Sequence, residues 1–131
     1  MRRLLWLFAP LIGWLFAHMS FAIPVKRLRE TETLMAFHHP KPAYPFHVLL
    51  VPKKAILSLK ELDAKDTAFL ADLYSAVQHL VEEFHLPAYR LIVNGGEYQD
   101  FPQLHFHLIS TVELGSSRST PVRGRPSVHK K

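Results

Sequence analysis

At 131 residues the chain has room for one α/β domain with a real core, and not for two. Hydrophobic residues make up 48% and charged residues 21%, so most of it is expected to fold, and the absence of cysteine excludes disulfides and thiolate metal sites. The net charge of +5 would suit nucleic acid, anionic lipid or phosphate. Its basic clusters lie at the two ends, in residues 26–29 and at Lys53 and Lys54, and are not interleaved with aromatics in a groove-like pattern, so no nucleic-acid partner is expected.

Residues 1–22 form the first zone. Arg2 and Arg3 precede an apolar run that reaches Ala22, interrupted by Pro10, Gly13, His18 and Ser20. A run of that length crosses a bilayer as a helix, and positive charge ahead of it also begins a secretory signal. The expectation is an N-terminal apolar helix that holds the protein at a membrane through residues 4–22, with the domain facing the cytoplasm. The alternative is export after cleavage near Ala22. Lys26, Arg27 and Arg29 place charge on the far side as well, so the positive-inside rule does not fix the orientation.

Residues 23–113 read as the folded domain, of α+β class. Strands are predicted over 33–37 and 46–51, separated by a segment in which Pro40, Pro42 and Pro45 remove donors and fix φ. A helix follows, with Asp63 as its predicted N-cap and Asp66 in its first turn. Phe69, Leu70, Leu73, Val77, Leu80, Val81 and Phe84 recur at helical spacing, and Pro87 is expected to stop the run. Strands are predicted over 89–93 and 104–109, with a turn at Asn94, Gly95 and Gly96 that needs positive φ. Residues 114–131 lack apolar periodicity and read as a disordered basic tail.

The last predicted strand carries the chemistry. Strand side chains alternate, so Leu104, Phe106 and Leu108 turn to one face and Gln103, His105 and His107 to the other. Apolar surroundings favour neutral imidazole, whose free nitrogen is a nucleophile able to attack phosphorus. Two alternatives stand beside that reading: inert surface histidines, and a metal site completed by His47.

The segment 99–109 resembles the signature of the histidine triad (HIT) family, His-φ-His-φ-His-φ-φ with φ apolar. The resemblance extends, in order, to residues 23–26, 34–38, 47–54 and 89–94. It implies an antiparallel sheet with one long packed helix, a homodimer, and hydrolysis or transfer of nucleotidyl groups through a covalent nucleotidyl-histidine. Substrates of that kind are nucleoside phosphoramidates and dinucleotides, and no cofactor or metal is implied. By position, His105 matches the nucleophile and His107 the third histidine, which contacts phosphate. Asn94 and Gln99 match polar residues that approach ribose and phosphates, and His47 matches a supporting histidine on the adjacent strand.

Two positions depart from the pattern. Gln103 stands where the first triad histidine would be, and glutamine cannot carry a proton at neutral pH. His39 stands where the family often has an acid that binds ribose hydroxyls, and imidazole does not replace both carboxylate oxygens. Both positions count as site residues, Gln103 beside the catalytic histidines and His39 in substrate binding. The alternative to an enzyme is a catalytically weak nucleotide-binding regulatory module. Tyr44 and Phe46 are expected mainly in the core, and His38 either in the loop or at the pocket edge.

Overall fold

A computed structural model describes residues 26–112. The apolar segment 1–22 and the basic tail 114–131 lie outside them. No helix among the described residues is long and apolar enough to cross a membrane.

Five strands and one long helix make up the domain: β1 (Arg27–Glu30), β2 (Leu34–His38), β3 (Phe46–Pro52), α1 (Thr67–Glu83), β4 (Arg90–Val93) and β5 (Phe106–Ser110). The strands form one sheet in the order β1-β2-β3-β5-β4, antiparallel at every pairing. This is the expected α+β architecture. The register aligns Phe37, Leu49, His107 and Ile92 across four strands, so one row crosses the sheet on a single face.

The period-2 pattern gives the sheet two unlike faces. Leu34, Ala36, Val48, Leu50, Phe106 and Leu108 join the main core with Phe69, Leu73, Ala76, Val77 and Leu80 of α1. Met35, Phe37 and Val51, with Leu49 against them, form a second cluster on the other face. The histidines of β3 and β5 share that face.

Four boundaries differ from the sequence reading. β1 was not predicted, because its four residues include three charged ones. It is an edge strand with a bulge between Arg27 and Arg29, where charge blunts further pairing. Asp66, not Asp63, caps α1, its side chain accepting from the Phe69 N–H. Asp63 instead closes a turn ahead of the helix, accepting from the Lys65 N–H at 2.9 Å. The helix stops before Pro87: His85 adopts φ 50°, and the Leu86 N–H returns to the Val81 carbonyl at 3.0 Å. That is a Schellman-type end with a histidine in the left-handed position. The fourth difference is β5, which begins at Phe106, while the Leu104 N–H bonds the Ile56 carbonyl at 2.7 Å. In the turn after β4, Gly96 alone takes positive φ, 58°.

Candidate active site

β3 and β5 bring His47 and His107 together, because His47 pairs with Ile109 and Leu49 with His107. His47 Nε2 lies 2.8 Å from His107 Nδ1. The Ala43 N–H donates to His47 Nδ1 at 3.2 Å. These two contacts fix the protons: His47 carries its hydrogen on Nε2 and donates it to His107, whose own hydrogen is then on Nε2. His105 is set differently. Its Nδ1–H donates to the Gln103 carbonyl at 2.8 Å, which in the neutral ring leaves the Nε2 lone pair free.

Behind these rings the stacking continues. His39 lies over His47 with centroids 4.4 Å apart and 30° between planes, and its Nδ1 accepts from the Lys41 N–H at 2.9 Å. His105 meets His107 edge-on at 4.9 Å, and Tyr44 meets His47 edge-on at 5.4 Å. Burial holds His107 well below the ordinary imidazole range, at about 4, with His105, His47 and His39 adding to the shift and Asp100 opposing it. His47 is lowered by burial and then by His39. His39 is lowered by burial and then by His105.

A cavity of about 310 Å³ opens over this face. Phe37, Leu49, Val51 and Phe101 supply its apolar surface, and His39, Asp100, His105 and His107 its titratable groups. The lining suits an apolar group that also makes a few polar contacts.

The expected site residues divide into two groups. His39, Gln103, His105 and His107 all line the cavity. The Gln103 side chain is nevertheless occupied: its Oε1 accepts from the Ile56 N–H at 3.3 Å, and its Nε2 donates to the carbonyls of Lys54 at 2.7 Å and Pro52 at 3.4 Å. It braces the segment after β3 beneath His105, so it positions the site. His47 is buried and does not line the cavity, but touches two residues that do, His107 and His39. Gln99 is 2% exposed and turned away, its Nε2 donating at 2.8 Å to both the Leu57 and Phe101 carbonyls. It ties the loop down. Asn94 follows β4, half-buried, and is not among the cavity's lining residues.

Three other readings are settled by position. His38 pairs with Val48 on the helix side of the sheet, its ring edge-on to Phe46 and Phe84, away from the cavity. Phe46 is a core residue at 1% exposure, while Tyr44 lies at the surface at 36%. The metal set of His47, His105 and His107 does not assemble, since His47 commits both ring nitrogens to hydrogen bonds. Among the described residues no group of three or more His, Cys, Asp or Glu is placed to hold a metal.

Asp100 and Phe101 were not foreseen. Their only signal was closeness in sequence to the histidine strand, because a loop without periodicity does not announce which way its side chains turn.

The domain has two layers, with His107 on an antiparallel strand, His105 just before it, and a cavity over the face away from the helix. The HIT domain family model matches residues 20–114, and the chain belongs to the HIT family. An uncharacterised HIT-like protein of Azospirillum brasilense is 37% identical over 98 residues, covering 71% of this chain and 80% of the relative. A HIT family hydrolase from Clostridium thermocellum superposes with a TM-score of 0.67 at 30% identity, covering 79% of this chain and 93% of that one. A histidine triad protein from Clostridium difficile superposes at 0.66 with 24% identity over 75% of this chain and 89% of its own, a likeness of fold alone.

Proposed function

We propose that this protein is a HIT-type phosphohydrolase or nucleotidyl transferase acting through a covalent nucleotidyl-histidine at His105. The observation that carries this reading is the His105 Nδ1–H bond to the Gln103 carbonyl, which orients the ring and leaves the Nε2 lone pair free beside the cavity. Phosphorus held 3–3.5 Å from Nε2 is in attack range, on the order of a near-attack distance.

In the first step the Nε2 pair forms a bond to phosphorus. The bond to the leaving group breaks, and its electron pair departs with that group. His105 becomes a phosphorylated imidazolium, its positive charge met by the Gln103 carbonyl. His107, neutral with its hydrogen on Nε2, donates to a phosphoryl oxygen as charge builds there. His47 holds His107 in that tautomer. In the second step water, or an acceptor hydroxyl, attacks phosphorus and the Nε2 pair returns to His105. A nucleobase fits the apolar surface of Phe37, Leu49 and Val51.

The test is turnover of nucleoside phosphoramidates and dinucleoside polyphosphates by the purified chain and by His105→Ala. The reading expects turnover that the substitution abolishes while the melting temperature holds. Turnover that survives in the variant removes the mechanism. Ligand-dependent stabilisation without turnover in the wild type would establish a binding module instead.

The same reading includes a homodimer through β4. Its edge carries Leu91, Ile92 and Val93, half-buried, whereas the opposite edge β1 is charged and bulged. Light scattering should give twice the chain mass, and Ile92→Pro should return it to the monomer value.

A further inference from the structure

One row of side chains crosses the cavity face of the sheet: Arg27 on β1 opposes Phe37, Phe37 opposes Leu49, and Leu49 opposes His107. Phe37, Leu49 and His107 line the cavity, so Arg27 stands one strand beyond its apolar floor. The bulge in β1 puts it there. Residues two apart on a regular strand share a face, but Arg27 and Arg29 oppose the successive residues Phe37 and Ala36, and so turn to opposite faces. Arg29 goes to the helix side, where it donates to Glu83 at 3.3 Å. Arg27 is left on the histidine side, with 19% of its side chain exposed. Its Nε lies 3.5 Å from the Glu30 carboxylate, and neither Nε nor Nη2, both buried, has a hydrogen-bond partner among the described residues. Lys53 holds the same carboxylate at 2.9 Å, so one anion stands between two cations. A buried N–H donor without an acceptor is costly, and an acceptor supplied by a ligand would remove that cost.

We propose that Arg27 selects the nucleobase, favouring guanine over adenine. The inference rests on the reading of the cavity as a nucleotide site. From His107 to Arg27 the row spans three strand spacings, about 14 Å at the usual separation. Phosphorus at His105 and a base over Phe37 and Leu49 leave the outer edge of that base facing β1. The last gap, from β2 to β1, is about 4.8 Å, which a long side chain spans. A guanidinium presents parallel N–H donors, and these match two acceptors side by side. Guanine offers such a pair in O6 and N7. Adenine offers N7 beside an amino group, whose hydrogens would meet those of Arg27. Arg27 therefore discriminates by the hydrogen-bond pattern of the base edge. The phosphate contacts and the chemistry at His105 are alike for both bases.

The experiment measures Kd by calorimetry for GMP, IMP and AMP, with the full chain and its Arg27→Met and Arg27→Lys variants. IMP has the O6 and N7 of guanine without its second amino group, so it isolates the edge that Arg27 reads. GMP and IMP should bind the wild type about tenfold tighter than AMP, the lower range for one bidentate contact. Arg27→Met should bring all three within about twofold of one another, by weakening GMP and IMP alone. Unchanged AMP binding in that variant shows that its cavity is intact. Arg27→Lys keeps the charge and loses the fork, so it should retain a preference of about threefold at most. Equal weakening of all three nucleotides in Arg27→Met, IMP binding like AMP, a full preference in Arg27→Lys, or a wild type without preference would each overturn the role of Arg27 and leave the nucleotide site standing. A folded wild type that binds none of the three would overturn the site reading together with this one.

Discussion

β5 carries two different proteins on its two sides. Phe106 and Leu108 point into the core with α1, at 6% and 0% exposure. His107 between them, and His105 just before the strand, turn to the cavity. Adjacent residues on one backbone thus belong to stability on one face and to chemistry on the other. The helix face is closed by interdigitating apolar side chains, which tolerate little change in volume. The histidine face is held by a few directional contacts, in which what matters is where each hydrogen sits. The difference teaches that substitution effects here follow face, not distance along the chain.

The sharpest way to break that comparison is to alter neighbours. His105→Ala should lower kcat/KM by at least about a thousandfold, as removal of a nucleophile does, and leave the melting temperature almost unchanged. Phe106→Ala, one residue away, should cost about 3–5 kcal/mol by opening a cavity under α1. Per folded molecule it should retain most of its activity. Denaturant melts beside single-substrate kinetics separate the two, and a stability loss in His105→Ala as large as that in Phe106→Ala would erase the distinction between faces.

Gln103 tests the border between them. Its side chain satisfies the Ile56 N–H and two carbonyls, while its own carbonyl holds His105. Gln103→Ala leaves those buried groups unpaired, at about 1–3 kcal/mol. The His105 ring is then less firmly placed, and kcat should fall about tenfold with KM little changed. A fall in stability with kcat intact would confine Gln103 to the scaffold.

Much of this was legible in the sequence. Periodicity at 33–37, 46–51 and along α1 marked the elements, because a buried stripe leaves a repeat that survives in one dimension. The pairing of histidines on one face followed from alternation alone. What was hidden depends on contacts distant in the chain. Gln99 and Gln103 are polar residues near the site, and only the fold shows that their amides donate to the Leu57 and Lys54 carbonyls, more than forty residues away. Asp63 and Asp66 offer the same cap chemistry, and the choice between them was made by the turn that precedes α1. β1 is charged because an edge strand does not need the alternation that marks a buried one.

Acid gives the gentlest probe of the histidine face. His107 takes a proton near 6.5 when unfolded and only at about 4 when folded, so the folded state resists a protonation that the unfolded state accepts. The stabilisation is complete above 6.5 and is lost progressively as pH falls from there to about 4. His39 and His47 are shifted in the same direction and add to the same slope. Burial is the main cause, and a protonated His107 would also carry a hydrogen on Nδ1, facing the hydrogen that His47 donates from 2.8 Å away. Melting temperature measured between pH 7.5 and 4 should therefore decline through that window in the wild type. In His107→Gln, which has no group to titrate at that position, the decline should be shallower. The kcat/KM profile should carry an acid limb near 4 for the same reason, since protonation at Nδ1 breaks the contact that holds the His107 donor in place. Parallel slopes in the two proteins would show that acid acts elsewhere, and the coupled imidazoles would then have no part in the stability of this face.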